Sequence, residues 1–285
     1  MKIFAVALAL ALIASPVWAE DADPLHLKGD IIQGSFITGS VPPGSHVRAN
    51  GTDVPVAPSG EFAIGLARDA APWLTISAFF PDGSHPLQKF DVAKRDWPVQ
   101  RIDGLPDDQV TPSDKDLIAI RYEQTKIANA RSRVRSADDF KAGFIWPAVG
   151  PISGVFGSQR ILNGQPRAAH LGLDIAAPEG TPIKAPADGV VTLVAPSLFF
   201  NGNVVILDHG LGVTTLYAHL AMFRVIEGQP VHRGDVIGIV GRTGRVTGPH
   251  LHFGLNVRGV GLDPAPVLGP QPGANNTPSN VNSTN

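Results

Sequence analysis

The chain has 285 residues, room for one large domain or two modest ones, and 43 % of them are apolar, which excludes wholesale disorder. The 25 acidic residues slightly outnumber the 23 basic ones, so there is no electrostatic case for nucleic acid or an anionic membrane surface as partner. Cysteine is absent, which removes disulfides, thiolate nucleophiles, cysteine zinc sites and a lipid-modified cysteine anchor. With 31 glycines and 26 prolines, the text is that of short strands and many turns.

Met1–Ala19 reads as an export signal. Lys2 precedes the apolar run Ile3–Ala14, a Ser15-Pro16 break follows, and Val17 and Ala19 fit the small positions of a cleavage site before Glu20. The apolar run is too short to span a bilayer, so no stable membrane span is expected. The mature chain is placed outside the cytoplasm, in the periplasm first and otherwise extracellular.

Residues 25–103 consist of short apolar alternations between turn signals, among them Asn50-Gly51, Ser59-Gly60 and Pro81-Asp82-Gly83. This pattern predicts a small antiparallel β-sandwich, immunoglobulin-like or similar. Its histidines, His26, His46 and His85, are scattered singly in turn-rich text and are read as surface residues. The next stretch, 111–143, is read as an amphipathic helical linker. Thr111 is the expected N-cap, Pro112 the first helical residue, and Asp114 lies three residues past the cap. Leu117, Ile118, Ile120, Ile127 and Val134 supply apolar positions to about Arg135. Arg121, Lys126, Arg131, Arg133 and Arg135 are read as a solvated face. A second short helix is expected from Ser136, with Asp139 completing a capping-box pattern. β-type text then runs through residues 144–268, and Gly269–Asn285 has almost nothing to bury and is expected to be disordered.

The chemistry lies in the second half. In His170-Leu-Gly-Leu-Asp174-Ile175, Leu171, Leu173 and Ile175 alternate with His170, Gly172 and Asp174, so a strand here puts the polar set on one face. Gly172 leaves room between them for something bound. The same grammar recurs in Pro249-His250-Leu-His252-Phe253-Gly254-Leu255. A third case is Thr215-Leu216-Tyr217-Ala218-His219-Leu220, read with Leu216, Ala218 and Leu220 toward the core and Thr215, Tyr217 and His219 away from it. Three strand-like segments thus offer four imidazoles and one carboxylate to what is expected to be one surface. That set suits zinc, with three protein ligands and an open position, and leaves two histidines for acid–base work. His209 and His232 are read as structural and surface residues.

These motifs, with the stretches Val155-Phe-Gly-Ser158, Ala185-Pro-Ala-Asp-Gly189 and Gly234-Asp-Val-Ile-Gly238, make residues 145–264 resemble the lysostaphin-type (LytM-like) zinc endopeptidases. The resemblance implies a compact, strongly curved antiparallel β fold with the metal in a groove. It implies that His170, Asp174 and His252 bind one zinc ion and that His219 and His250 are the non-ligand catalytic pair. It further implies hydrolysis of amide bonds in peptidoglycan stem or bridge peptides. No H-E-x-x-H motif is present, so the general base is expected to be His219 or His250. The same family contains members that have lost zinc ligands and instead activate cell-wall amidases, which is the alternative reading; here all five positions are filled. The N-terminal part is expected to dock an envelope protein or to restrain access to the groove.

Overall fold

A computed structural model describes residues 23–104 and 113–273. The export signal at Met1–Ala19 and the expected helix cap at Thr111 and Pro112 lie outside the described residues.

The N-terminal part is built from β1 (Phe36–Ser40), β2 (His46–Ala49), β3 (Thr52–Val54), β4 (Glu61–Gly65), β5 (Trp73–Phe79) and β6 (Leu87–Asp91). β1 pairs with β4, and the order β3-β2-β5-β6 forms a second antiparallel sheet. The expected hairpin turn between β2 and β3 is present: Asn50 and Gly51 have φ of +47° and +78°, the pair of left-handed residues that a tight hairpin needs. Phe62, Ile37, Val47, Leu74 and Ile76 fill the core between the two sheets. A Cβ on Gly39 would stand 2.3 Å from the Phe62 ring, so glycine is required beside that side chain. Replacing the fully buried Phe62 by alanine is expected to cost about 3–5 kcal/mol, read as a shift in urea midpoint at constant slope. His26, His46 and His85 are exposed, and His85 packs edge-on against Phe79.

The chain then leaves this sandwich. β7 (Val99–Ile102), inside the stretch read as sandwich, runs to the C-terminal part, as shown below. α1 (Asp114–Arg131) starts at Ser113, whose side chain accepts from the Asp116 N–H while the Asp116 carboxylate accepts from the Ser113 N–H. The reciprocal pair puts the start of the helix later than the Thr111-Pro112 signal suggests. The helix also ends four residues short of Arg135. No helix follows at Ser136; Arg135 instead bonds Asp139 and the buried Asp208, at 2.6 and 2.8 Å. Nor is α1 a solvated basic rod with one apolar stripe. Its buried residues are Glu123 and Ala130, and Ile118 is exposed. Arg131 is largely buried, its Nε has no partner, and burial holds its pKa down to about 10.

The remaining strands are β8 (Ile152–Gly154), β9 (Gln159–Leu162), β10 (Gln165–Pro166), β11 (Leu173–Ala176), β12 (Pro182–Lys184), β13 (Gly189–Leu198), β14 (Gly202–Asp208), β15 (Val213–Ala218), β16 (Leu220–Phe223), β17 (Pro230–Val231), β18 (Val236–Val240), β19 (His250–Val257) and β20 (Val260–Leu262), closed by α2 (Ala265–Leu268). The main antiparallel sheet has the order β17-β13-β14-β15-β19-β11-β8, with β20 beside β19. One face packs on the small sheet β12-β18-β16 through Leu173, Ile175, Tyr217, Leu251 and Phe253. On the other face, Leu216, Ala218, Ala195 and Ile206 form a second core capped by Ile127 and Ala130 of α1.

The two parts of the chain share structure. β7 pairs in parallel with β9, whose other neighbour is β10. Phe36 of β1 packs edge-on against Phe140 and Phe144. Arg95 bonds Asp263 at 2.8 Å. Trp97 stands against Phe156 and lies so close over Gly157 that a Cβ there would be 2.1 Å from its ring. At the other end, the expected disorder does not begin at Gly269. Trp146 Nε1 donates to the Gly269 carbonyl, and the Gln271 amide exchanges two hydrogen bonds with Gly150.

Candidate metal centre

The backbone register assembles the site. On the β11–β19 ladder Asp174 lies opposite His252 and Ala176 opposite His250, while on β15 Ala218 lies opposite His252. Residues directly opposed in a ladder share a face. Asp174, His252, His250, Ala218 and Leu216 therefore lie on the face that α1 partly covers, and Tyr217 and Phe253 lie on the other.

That corrects the expected orientation of β15. Tyr217 is fully buried, and its hydroxyl bonds Thr215, which in turn bonds His209. Both faces of the strand are core, so an apolar–polar alternation could not tell them apart. His219 would follow Tyr217 to the wrong side, but its φ of +67° breaks the alternation just past the strand. The break is held by the His219 N–H donating to the Asn201 carbonyl. Asn201 is fixed in turn by Glu123 of α1, which accepts from the Phe200 and Asn201 N–H groups and from the Asn201 side-chain amide.

The segment before β11 also departs from the expected strand. Pairing starts at Leu173, Leu171 is exposed, and His170 arrives from a loop, with its N–H on the Ser158 carbonyl and its C=O accepting from Gly157. The space at Gly172 is taken by the His252 ring, which a Cβ would meet at 2.5 Å. Gly154 on β8 has a similar role, since a Cβ there would be 2.2 Å from Asp174 Oδ2.

His170 Nε2, Asp174 Oδ1 and His252 Nδ1 converge. His170 Nε2 is 3.1 Å from Asp174 Oδ1 and 3.0 Å from His252 Nδ1, and His252 Nδ1 is 2.8 Å from Asp174 Oδ1. Four ligands about 2.0–2.1 Å from a tetrahedral zinc ion lie about 3.3 Å apart, so the three atoms are close to the spacing of one tetrahedral face. The donor types, two imidazoles and a carboxylate, match zinc. Among the described residues this is the cluster that could hold a metal ion. The sequence-predicted pair completes the surroundings: the His219 and His250 ring centroids are 4.7 Å apart, and His250 Nε2 is 3.9 Å from Asp174 Oδ1.

Carbonyl groups orient the imidazoles. His170 Nδ1 is 3.0 Å from the Val155 oxygen, His219 Nδ1 2.9 Å from Thr243, and His250 Nδ1 2.9 Å from Gly248. A carbonyl can only accept, so each Nδ1 carries the hydrogen and each Nε2 of a neutral ring offers a lone pair. Burial opposes ionisation of Asp174, yet hydrogen bonds from the His170 and His252 rings in their doubly protonated form, with the charge they then carry, overcome it and hold the carboxyl well below the usual range. Burial likewise lowers His170, but Asp174 outweighs it and leaves that ring raised, whereas burial prevails at His252 and lowers it. Burial pushes His219 down to about 4 against the opposing Thr243 hydrogen bond, with repulsion from His252 and His250 adding to it, so His219 is neutral at pH 7. His209 is buried between the Asp188 carbonyl and Thr215, and His232 is exposed.

The carbonyl partners, Glu123 and the buried Arg131 were not visible in the sequence. Arg131 lines a cavity of about 190 Å³ behind His252, floored by Gly254. No local pattern marks any of them.

A curved β scaffold with a two-histidine, one-carboxylate centre and two free imidazoles defines a metallopeptidase type of site. Residues 168–264 match the model of Peptidase family M23. A crystal structure of a putative peptidase M23 from Pseudomonas aeruginosa is similar at 30 % identity and a TM-score of 0.65, covering 84 % of this chain and 96 % of that one. The chain belongs to peptidase family M23. M23 metallopeptidases are zinc-dependent. Among curated relatives, peptidoglycan DD-endopeptidase ShyC of Vibrio cholerae is 40 % identical over 152 residues, 53 % of this chain and 33 % of that protein. The DD-carboxypeptidase/endopeptidase Mpg of Neisseria meningitidis is 50 % identical over 103 residues, 36 % of this chain and 24 % of that protein. The chain thus spans about a quarter to a third of the length of these relatives.

Proposed function

We propose that the chain is a zinc endopeptidase that hydrolyses amide bonds in peptidoglycan peptides. The observation that carries this is the convergence of His170, Asp174 and His252 with His219 and His250 beside them, within the part that matches family M23. His170, Asp174 and His252 hold the ion. Bound there, zinc supplies Lewis acidity toward water and the scissile carbonyl. His219 and His250 present Nε2 lone pairs to the same space; one takes the proton of the attacking water and, once protonated, returns it to the leaving amine. The other, when protonated, donates to the oxygen on which negative charge develops. The fixed Nδ1–carbonyl bonds hold both rings in that aim.

The reading includes export by Met1–Ala19 to the periplasm. No helix among the described residues is long and apolar enough to cross a membrane. It also includes an envelope protein docked on the sandwich, supported by the outward-facing Trp73 and Leu87 on β5 and β6.

Digestion of purified sacculi tests the activity. Mass spectrometry should find new peptide termini and intact glycan strands, and unchanged muropeptides would reject the reading. Gly154→Ala tests how the carboxylate is seated. The added methyl displaces Asp174, and zinc affinity is expected to fall about 10- to 100-fold, read by chelator competition.

A further inference from the structure

The groove that holds the centre encloses about 1250 Å³ and carries an uneven charge. Three arginines line it: Arg160, Arg167 and Arg245. None is in an ion pair within the described residues. The Arg167 guanidinium donates to the neutral Gln165 side-chain oxygen at 3.4 Å, and its buried Nε has no partner. The two acids of the lining are both engaged, Asp116 with the Ser113 cap and Asp174 with His170 and His252. Among the described residues, the uncommitted charges of the groove are therefore all guanidinium groups.

Their placement is two-sided. Arg160 is on β9, and the Arg167 N–H donates to its carbonyl at 2.8 Å, so the two sit side by side on the wall beyond β8. Arg245 is on the wall beyond β15. Its N–H donates to the Phe200 carbonyl, and its guanidinium lies over the Phe200 ring at 5.9 Å. In the main sheet β15, β19 and β11, which carry the site, stand between β14, whose leading turn holds Phe200, and β8, from which the chain runs on into β9.

We propose that Arg160 and Arg167 on one side and Arg245 on the other bind carboxylates flanking the scissile amide, making the enzyme selective for stem peptides with free carboxylates over neutral bridges. This rests on the endopeptidase reading above. A guanidinium fork matches a carboxylate geometrically, and an uncharged glycine bridge would offer none of the three a counter-charge of its own. Discrimination by charge-assisted bonds of this kind appears in KM, because they are made equally in ground and transition states.

The test uses the full zinc-loaded chain and three synthetic probes: a cross-linked stem-peptide dimer with free carboxylates, the same dimer with them amidated, and pentaglycine. The free dimer is expected to exceed the amidated one about tenfold or more in kcat/KM, mostly through KM, with pentaglycine lowest. In Arg160→Gln/Arg167→Gln and in Arg245→Gln, each checked for zinc content and melting temperature, that ratio should fall about threefold to tenfold. A wild-type ratio near one, or a ratio that these variants leave intact, overturns the proposal. Cleavage of none of the three probes would reject the endopeptidase reading. Calorimetric binding of the two dimers would then decide the arginines' role separately, by the same ratio and the same variants.

Discussion

Asp174→Ala is expected to abolish both metal content and turnover. Wild type should carry about one zinc per chain by elemental analysis, and the variant none after dialysis. Asp174 Oδ1 is within 3.1 Å of both His170 Nε2 and His252 Nδ1, so its loss removes the anionic member and leaves two imidazoles facing each other. The activity lost is the Lewis-acid contribution, several kcal/mol of transition-state stabilisation, or about a thousandfold or more on sacculi. The fold should survive, because Leu173 and Ile175 on the opposite face hold β11 in its core. A variant that keeps full zinc occupancy would remove Asp174 from the centre.

His219→Ala and His250→Ala should separate proton transfer from metal binding. Each is expected to retain most of the zinc and to lose about 10²- to 10⁴-fold in kcat. His252→Ala should lose the metal as well. His219 needs a second variant, because alanine is strained at its φ of +67°. Asparagine tolerates that backbone region and keeps the turn, so His219→Asn isolates the loss of the imidazole. Equal zinc loss in all three alanine variants would sink this division of roles.

Much of the centre was legible because strand alternation is a strict period of two. His250 and His252 share a face by spacing alone, and Leu251 and Phe253 fill the core behind them as that spacing requires. Alternation failed at β15, where α1 covers Leu216 and Ala218 with a second core while Tyr217 packs into the main one, so both sets of residues are buried. It failed again at His170 and His219, which reach the centre from a loop and from a left-handed residue. Neither device has a periodic signature. The helix starts later than the Thr-Pro signal suggests because a Ser-x-x-Asp signal stands two residues on, and it closes a reciprocal cap. The partners that orient the imidazoles are main-chain carbonyls of Val155, Thr243 and Gly248, which any residue type would supply equally well.

The parallel pairing of β7 with β9 bears on how this protein can be dissected. A fragment beginning at Phe144 would contain every histidine of the centre, yet it would strip β9 of a neighbour four residues long. The bared N–H and C=O groups would form an open edge beside the groove, a template for an extended segment of another molecule. Such a fragment should self-associate or capture a strand where β7 belongs. A gain of activity on trimming would then report a rebuilt groove wall and not the release of an inhibitor.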